Sequence, residues 1–283
     1  MKNLSIRIAR LLGSIIGKRL GEKLIVFIFK ITDVSILRIA YRQYGLIKFQ
    51  NMRVSGESGV LEKIVKPNLL PNEVLIDVGA NIGEYTKELS RVFPSSRIIS
   101  VEANPITYEI LKQNVETEAY NYAVSEVSGI VDFFTSEENA SSTQASLSME
   151  SVPNNETLSK ISVHSIRLDE LLKDKEVAQI GLLKVDTEGH DLGVLKSCQS
   201  YFTQIKFVQF EFNEKYVYTR TFLKDFYQLL HETHLIYRID TDRLHDLTNY
   251  DPVYEIFRYQ NLLAVRKDLQ HELERLIKIQ KSH

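Results

Sequence analysis

Apolar and polar positions alternate in a pattern that predicts strands and helices in turn. Short apolar runs, such as Val74-Leu75-Ile76 and Leu182-Leu183, lead into polar or glycine-containing turns. Strands are predicted at about 74–78, 97–101, 119–124, 181–186, 205–211, 235–239 and 255–265. Helices fall at about 83–92, 105–117, 168–173, 189–199 and 220–232. Such alternation implies an α/β fold, a mostly parallel sheet with helices on both faces. Ile130-Val131-Asp132-Phe133-Phe134 reads as an extra strand. Residues 136–160 are rich in Ser, Asn, Glu and Thr, and a long polar loop inside a compact domain is commonly a functional one. Residues 130–166 are therefore read as a variable region or lid.

The ends of the chain differ from this core. In residues 1–45, Leu4, Ile8, Leu11, Leu12, Ile15 and Ile16 recur at helical spacing between Arg7, Arg10, Lys18 and Arg19, which predicts a basic amphipathic helical extension. The uninterrupted apolar run Leu24 to Phe29 is far below the ~20 residues a spanning helix needs, and no secretory cleavage site of small residues follows it. A cap on the domain or on a partner subunit is the first reading of this extension, and a helix lying on an anionic membrane surface is the alternative. Residues 46–73 look like a connection, with the turn-forming cluster Ser55-Gly56-Glu57-Ser58-Gly59 and with Pro67 and Pro71 before the first strand. The main domain is placed at 46–268, and 269–283 reads as a charged C-terminal helix.

Composition adds bounds. An apolar share of 43% and a charged share of 25% are ordinary for a globular chain of 283 residues. The single cysteine, Cys198, excludes an internal disulfide and fits a cytoplasmic location. The net charge of −2 conceals an asymmetry. Residues 1–45 carry nine Lys/Arg and two acids, 9 − 2 = +7, which leaves −2 − 7 = −9 for the remainder. An acidic main domain argues against nucleic acid as its substrate.

Four segments carry candidate chemistry. The first is Asp77-Val78-Gly79-Ala80-Asn81-Ile82-Gly83-Glu84-Tyr85-Thr86, a strand, a glycine turn and a helix start, where nucleotide-like ligands sit in parallel sheets. Gly79 and Gly83 let backbone approach a ligand. Asn81 stands where the dinucleotide fingerprint needs its second glycine, which disfavours a nicotinamide-dependent oxidoreductase. The second is Val101-Glu102-Ala103-Asn104-Pro105, where Glu102 at a strand tip is placed to accept hydrogen bonds from a ribose diol. The third is Lys184-Val185-Asp186-Thr187-Glu188-Gly189-His190-Asp191, four polar groups at a strand's carboxyl end. The fourth is Gln209-Phe210-Glu211-Phe212-Asn213, in which a carboxylate interrupts an apolar strand. Asp186, Glu188, His190 and Glu211 are also ligand types for a divalent metal; the reading assigns none.

These segments resemble the FkbM family of S-adenosylmethionine-dependent methyltransferases, over about residues 50–265. The D-x-G-x-x-x-G spacing is similar to that of class I methyltransferase cofactor sites, and Leu183 to His190 is the most specific piece. Ser55-Gly56-Glu57 and Leu168-Asp169-Glu170-Leu171 also resemble family features. The resemblance implies a Rossmann-like class I methyltransferase fold, with a seven-stranded sheet whose last strand is antiparallel. It also implies methyl transfer to a hydroxyl of a sugar, glycan or secondary metabolite, with S-adenosylhomocysteine as product. On this resemblance Asp77, Gly79, Ala80, Asn81, Gly83, Tyr85 and Thr86 line the methionine and ribose side. Glu102 holds the ribose, and Ala103, Asn104, Asn121 and Ala123 frame the adenine. Asp186, Glu188 and His190 face the transferred methyl, with His190 as the expected base, because imidazole titrates near neutrality. Glu211, Asn213 and Glu57 are expected to bind acceptor hydroxyls. An N-methyltransferase or small-metabolite methyltransferase, and a scaffold without turnover, are the rival readings on the same fold. The acceptor is then a small molecule or a glycan; the oligomeric state stays open.

Overall fold

The computed structural model describes residues 18–136, 147 and 158–281. The chain divides into two compact units, 1–44 and 45–283.

In the first unit, one helix spans Lys18–Thr32 and a second spans Ile36–Gln43. The second starts at Ser35, whose side chain accepts from the Arg38 N–H and so satisfies an otherwise orphaned donor.

The second unit is built on a large sheet. Its strands are β1 (Val74–Val78), β2 (Ile98–Val101), β3 (Glu118–Tyr120), β7 (Ile180–Val185), β8 (Ile205–Phe212), β9 (His234–Ile239), β10 (Arg243–Asp246), β11 (Gln260–Arg266) and β12 (Lys278–Lys281). Their order is β12-β10-β9-β11-β8-β7-β1-β2-β3. The strands from β3 through β8 pair in parallel, and β11 inserts antiparallel between β8 and β9. These seven, β3 to β9, are the sheet implied by the resemblance. β10 and β12 extend it by two. Both are short and carry charge, which blunts an edge against further pairing.

Residues with period two explain the layers. Ile76, Leu183, Val208, Leu262 and Ala264 point into one core, with the helices Leu168–Asp174, Asp191–Lys196 and Leu223–Leu230 over them. Leu75, Leu182, Phe207 and Leu263 point into the other, covered by helix Glu84–Val92 and by Val60, Leu61, Ile64 and Val65. Buried on both faces, the central strands read as near-continuous apolar runs. The segment expected to be a connection, 46–73, is instead largely helical between Met52 and Asn68, with a π turn at Leu61–Val65. Its apolar residues supply one cover of the sheet.

A second, small sheet, β4-β6-β5, comprises Ala123–Val124, Leu158–Ile166 and Gly129–Ser136. The strand expected at 119–124 therefore breaks at Asn121-Tyr122, and its halves join different sheets. The extra strand expected at 130–134 is β5. It pairs antiparallel with β6, and these two strands with residue 147 are the described portion of the expected lid. Most of residues 137–157, the polar stretch of that lid, lie outside the described residues. The strand expected from 255 starts at Gln260, because Asp251 caps a 3-10 turn at Pro252–Tyr254. The C-terminal helix expected at 269–283 is confined to Gln270–Leu276 before the chain enters β12.

Candidate active site

The parallel strands β2, β1 and β7 bring three turns together at their carboxyl ends, the usual ligand side of such a sheet. A cavity of about 250 Å³ opens there, touching Gly79 and Asn81 after β1, Glu102 and Ala103 after β2, and Asp186, Thr187 and Glu188 after β7. Tyr122, Ala123, Phe133 and Leu147 form its apolar side.

The β1 turn is fixed by close approach. Gly79 has φ +81, and a Cβ there would lie 1.9 Å from the Asp186 carbonyl oxygen. Only glycine fits both the left-handed backbone and the contact. Gly83, at φ +91, is pressed against Leu111 and Val115 in the same way. Asn81 holds a left-handed conformation, φ +50, and its Oδ1 is buried without a protein partner. Strain of this kind persists where surrounding structure enforces it. Here the Asn81 N–H donates to Glu102 Oε2 at 2.8 Å.

Glu102 also accepts from the Asn104 N–H at 2.8 Å and from Thr107 Oγ1 at 2.9 Å, both at Oε1. Burial pushes its pKa up, and these bonds oppose the shift. Each carboxylate oxygen can accept more than one bond, so Oε2 keeps capacity toward the cavity.

Several residues expected beside the ligand hold the frame instead. Asp77 is buried and accepts from Thr86 Oγ1 at 2.7 Å, and Thr86 in turn meets Ser100 Oγ at 2.9 Å. Desolvation raises the Asp77 pKa to about 6, against the Thr86 bond. Ala80 ties back to β2 through its N–H to the Val101 carbonyl. Asn104 caps helix Pro105–Asn114 by accepting from the Ile106 N–H. Asn121 donates to the Glu102 and Ala103 carbonyls and so fixes the β2 turn. None of Asp77, Ala80, Gly83, Tyr85, Thr86, Asn104 or Asn121 is among the residues lining the cavity. Ala80, Asn104 and Asn121 satisfy backbone groups of the turns, whereas Asp77 and Thr86 bond each other.

The β7 side is an ionic cluster. Lys184 is 2% exposed, and its Nζ donates to Asp186 Oδ2 at 3.0 Å. Burial works against its charge, but Asp186 and Glu57 outweigh that and hold its pKa well above the usual value. Glu57 accepts from Ser55 Oγ at 2.6 Å and from Gln209 Nε2 at 2.8 Å. Gln209 Oε1 accepts from the Tyr85 hydroxyl at 2.9 Å. Tyr85 thus belongs to this cluster, with Lys184 Nζ 5.5 Å from its ring centre.

Glu188 has φ +55 and pairs with Lys215 at 2.8 Å. Burial, then Asp186, raise its pKa to about 7, and Lys215 counters them. Glu211 is raised well above the carboxylate range by burial and by Asp186 and Glu188, while bonded by Asn213 Nδ2. Across the strand pair from Glu211 stands Asn261, whose Oδ1 is buried without a partner. Asp186, Glu188, Glu211 and Glu57 are therefore electrostatic neighbours, as three carboxylates and a fourth bridged by Lys184.

His190 is not brought to them. It precedes helix Asp191–Lys196, and its ring lies against Gly193 of that helix: a Cβ on Gly193 would come within 2.5 Å of Nε2. The charges that act on it are Glu126 and Lys196, and burial lowers its pKa. It does not line the cavity. Asp191 accepts from both the N–H and hydroxyl of Thr187, which closes the turn. Asp186, the expected partner of His190, is not among the charges that act on it. Among the described residues no group of His, Cys, Asp and Glu is arranged to hold a metal ion.

Sequence reasoning did not single out Lys184, Gln209, Phe133 or Leu147, which the structure places at or beside the cavity. Lys184 and Gln209 carried a signal, since each is a polar residue inside a buried, mainly apolar strand.

Residues 77–239 match the methyltransferase FkbM domain. The chain belongs to the FkbM methyltransferase family. It is similar to the hexuronic acid methyltransferase AglP of Haloferax volcanii, 28% identical over 54% of this chain and 61% of that protein. It is similar also to the 2-O-methyltransferase NoeI of Sinorhizobium fredii, 22% identical over 52% and 66%. The chain spans about three fifths of the length of the first curated relatives it matches. Among solved structures, the N-terminal domain of human METTL16 in complex with SAH is 11% identical at a TM-score of 0.41, covering 79% of this chain and 76% of that one.

Proposed function

We propose that this family member transfers a methyl group from S-adenosylmethionine to a hydroxyl oxygen of a sugar or glycan. The observation that carries the reading is the single cavity that joins Glu102 and Asn81 on one side of the β1 turn to Asp186 and Glu188 on the other. The donor set suits the cofactor. Glu102 Oε2 and the unpartnered Asn81 Oδ1 are acceptors for ribose hydroxyls, Gly79 leaves room for close approach, and Tyr122 and Phe133 offer an apolar wall. Two relatives whose names specify sugar-type or 2-O-methylation support the acceptor class.

When bound, the cofactor supplies an activated methyl on its sulfonium sulfur. The protein's task is alignment and proton removal. The acceptor oxygen must stand about 3–3.5 Å from the methyl carbon. Asp186, held by Lys184, accepts from an acceptor hydroxyl and fixes its direction. Glu188, with a pKa near 7, takes the proton as the oxygen gains the methyl. Glu211 and Asn213, next to them, bind neighbouring hydroxyls.

Calorimetric titration with S-adenosylhomocysteine tests the cofactor half. Glu102→Ala should weaken binding by about 10- to 150-fold, the equivalent of one bond to a charged group at about 1.5–3 kcal/mol. A folded wild type that fails to bind overturns the reading.

A further inference from the structure

The two helices of the first unit carry an unusual surface. Leu20 is 60% exposed, Phe27 59%, Ile31 66% and Leu37 59%, and Leu24, Ile25, Val26 and Ile28 are exposed as well. No residue of helix Ile36–Gln43 is buried. At 3.6 residues per turn, Leu20, Leu24, Phe27, Ile28 and Ile31 fall on one face of helix Lys18–Thr32, and Arg19, Lys23 and Lys30 form a stripe beside it. Contiguous apolar surface of this kind marks a binding face.

Charge and length select the occupant. Residues 18–43 hold six Lys/Arg (Lys18, Arg19, Lys23, Lys30, Arg38 and Arg42) and two acids (Glu22 and Asp33), so 6 − 2 = +4. The rest of the chain is −2 − 4 = −6. A second copy would bring another +4 to the same face, and like charges repel. An anionic lipid surface offers both apolar depth and opposite charge. No described helix is long and apolar enough to cross a membrane. At 15 residues and 1.5 Å per residue, helix Lys18–Thr32 is about 22 Å long, short of a bilayer core of ~30 Å.

We infer that helices Lys18–Thr32 and Ile36–Gln43 lie in the headgroup region of an anionic membrane. The apolar face enters the acyl boundary, and Arg19, Lys23, Lys30, Arg38 and Arg42 meet lipid phosphates. The inference is independent of the chemistry proposed for the cavity.

The test is cosedimentation of the full chain with phosphatidylcholine vesicles, with and without one-third phosphatidylglycerol. The protein should pellet with the anionic vesicles, stay in solution with neutral ones, and be released by added salt. Lys23→Gln with Lys30→Gln should weaken binding about 30-fold, from ~5-fold per lysine. Phe27→Glu with Ile31→Glu should abolish it, with the melting temperature unchanged. Wild type that remains in solution with both vesicles overturns the inference, as does equal pelleting with both. A dimer in sedimentation velocity that the Phe27→Glu, Ile31→Glu variant splits would assign the face to a second copy. A lower melting temperature for that variant, without lipid binding by wild type, would assign it to a cap within the chain.

Discussion

The two sides of the cavity are built in different ways. On the β2 side, Glu102 is held by backbone N–H groups of Asn81 and Asn104, residues close to it in the chain or in the adjoining turn. On the β7 side, Lys184, Asp186, Glu57, Gln209 and Glu211 come from three distant segments and are held by ion pairs and side-chain hydrogen bonds. The first arrangement is rigid and suits a ligand with fixed shape. The second stores several ionisable groups in one desolvated place, where pKa values are pushed apart and proton transfer becomes feasible. It is also the place where a change of acceptor would leave the cofactor half untouched.

If that contrast is right, the largest effect belongs to the proposed base. Glu188→Gln should lower kcat by about 10²- to 10⁴-fold and leave S-adenosylhomocysteine affinity within about twofold. Wild-type turnover should fall as pH drops through about 7, because Glu188 is then protonated. The variant should lose that limb. An unchanged pH–rate profile in the variant would remove Glu188 from the role.

The next effect is on stability. Lys184→Met leaves Glu57 and Asp186 in a desolvated site without their cation. Breaking a buried pair from one side costs about 3–5 kcal/mol; Asp186 is partly exposed, so about 3 kcal/mol is expected in urea unfolding. Adding Glu57→Gln should recover part of it. A loss below about 0.5 kcal/mol would mean that the carboxylates are not held by Lys184.

On the other side, Asp77 offers a sign test. Its folded pKa, about 6, lies above its ordinary value of 3.8. The folded state therefore binds the proton more tightly, and stability falls as pH rises from about 4 to about 6. Asp77→Asn keeps an acceptor for Thr86 and removes the buried charge. It should gain about 1–3 kcal/mol above pH 6 and nothing below pH 4. A gain independent of pH would point to packing instead.

The contrast also explains what could be read from the chain alone. Gly79, Gly83 and Glu102 stand at fixed spacings because tight turns impose them, so the turns after β1 and β2 were legible. The central strands β1, β7 and β8 were legible because each is a mainly apolar run buried on both faces. β10 and β12 were not, since Arg243–Asp246 and Lys278–Lys281 each hold a single apolar residue among polar ones. The break at Asn121-Tyr122 depends on Asn121 reaching the Glu102 and Ala103 carbonyls, a tertiary choice over strand propensity. The Lys184 network could not be assembled from sequence because its partners are set by sheet order. Roles for Tyr85 and Thr86 were drawn from their place in the turn, yet their hydroxyls bond to Gln209 and Asp77.

The smallest effect expected is the most discriminating for that lesson. His190 looks like a base by residue type and position in the motif. Its ring, however, rests on Gly193, its Nε2 is buried without a partner, and Glu126 and Lys196 are the charges it feels. Removing a ring whose polar atom already lacks a bond forfeits no hydrogen bond at that atom. His190→Ala should therefore keep turnover within about twofold at every pH, a barrier change of ~0.4 kcal/mol. Loss of turnover with an intact melting temperature, and of the limb near pH 7, would return the proton to His190. It would also require the 187–191 turn to open when the acceptor binds, against the two bonds that Asp191 makes to Thr187.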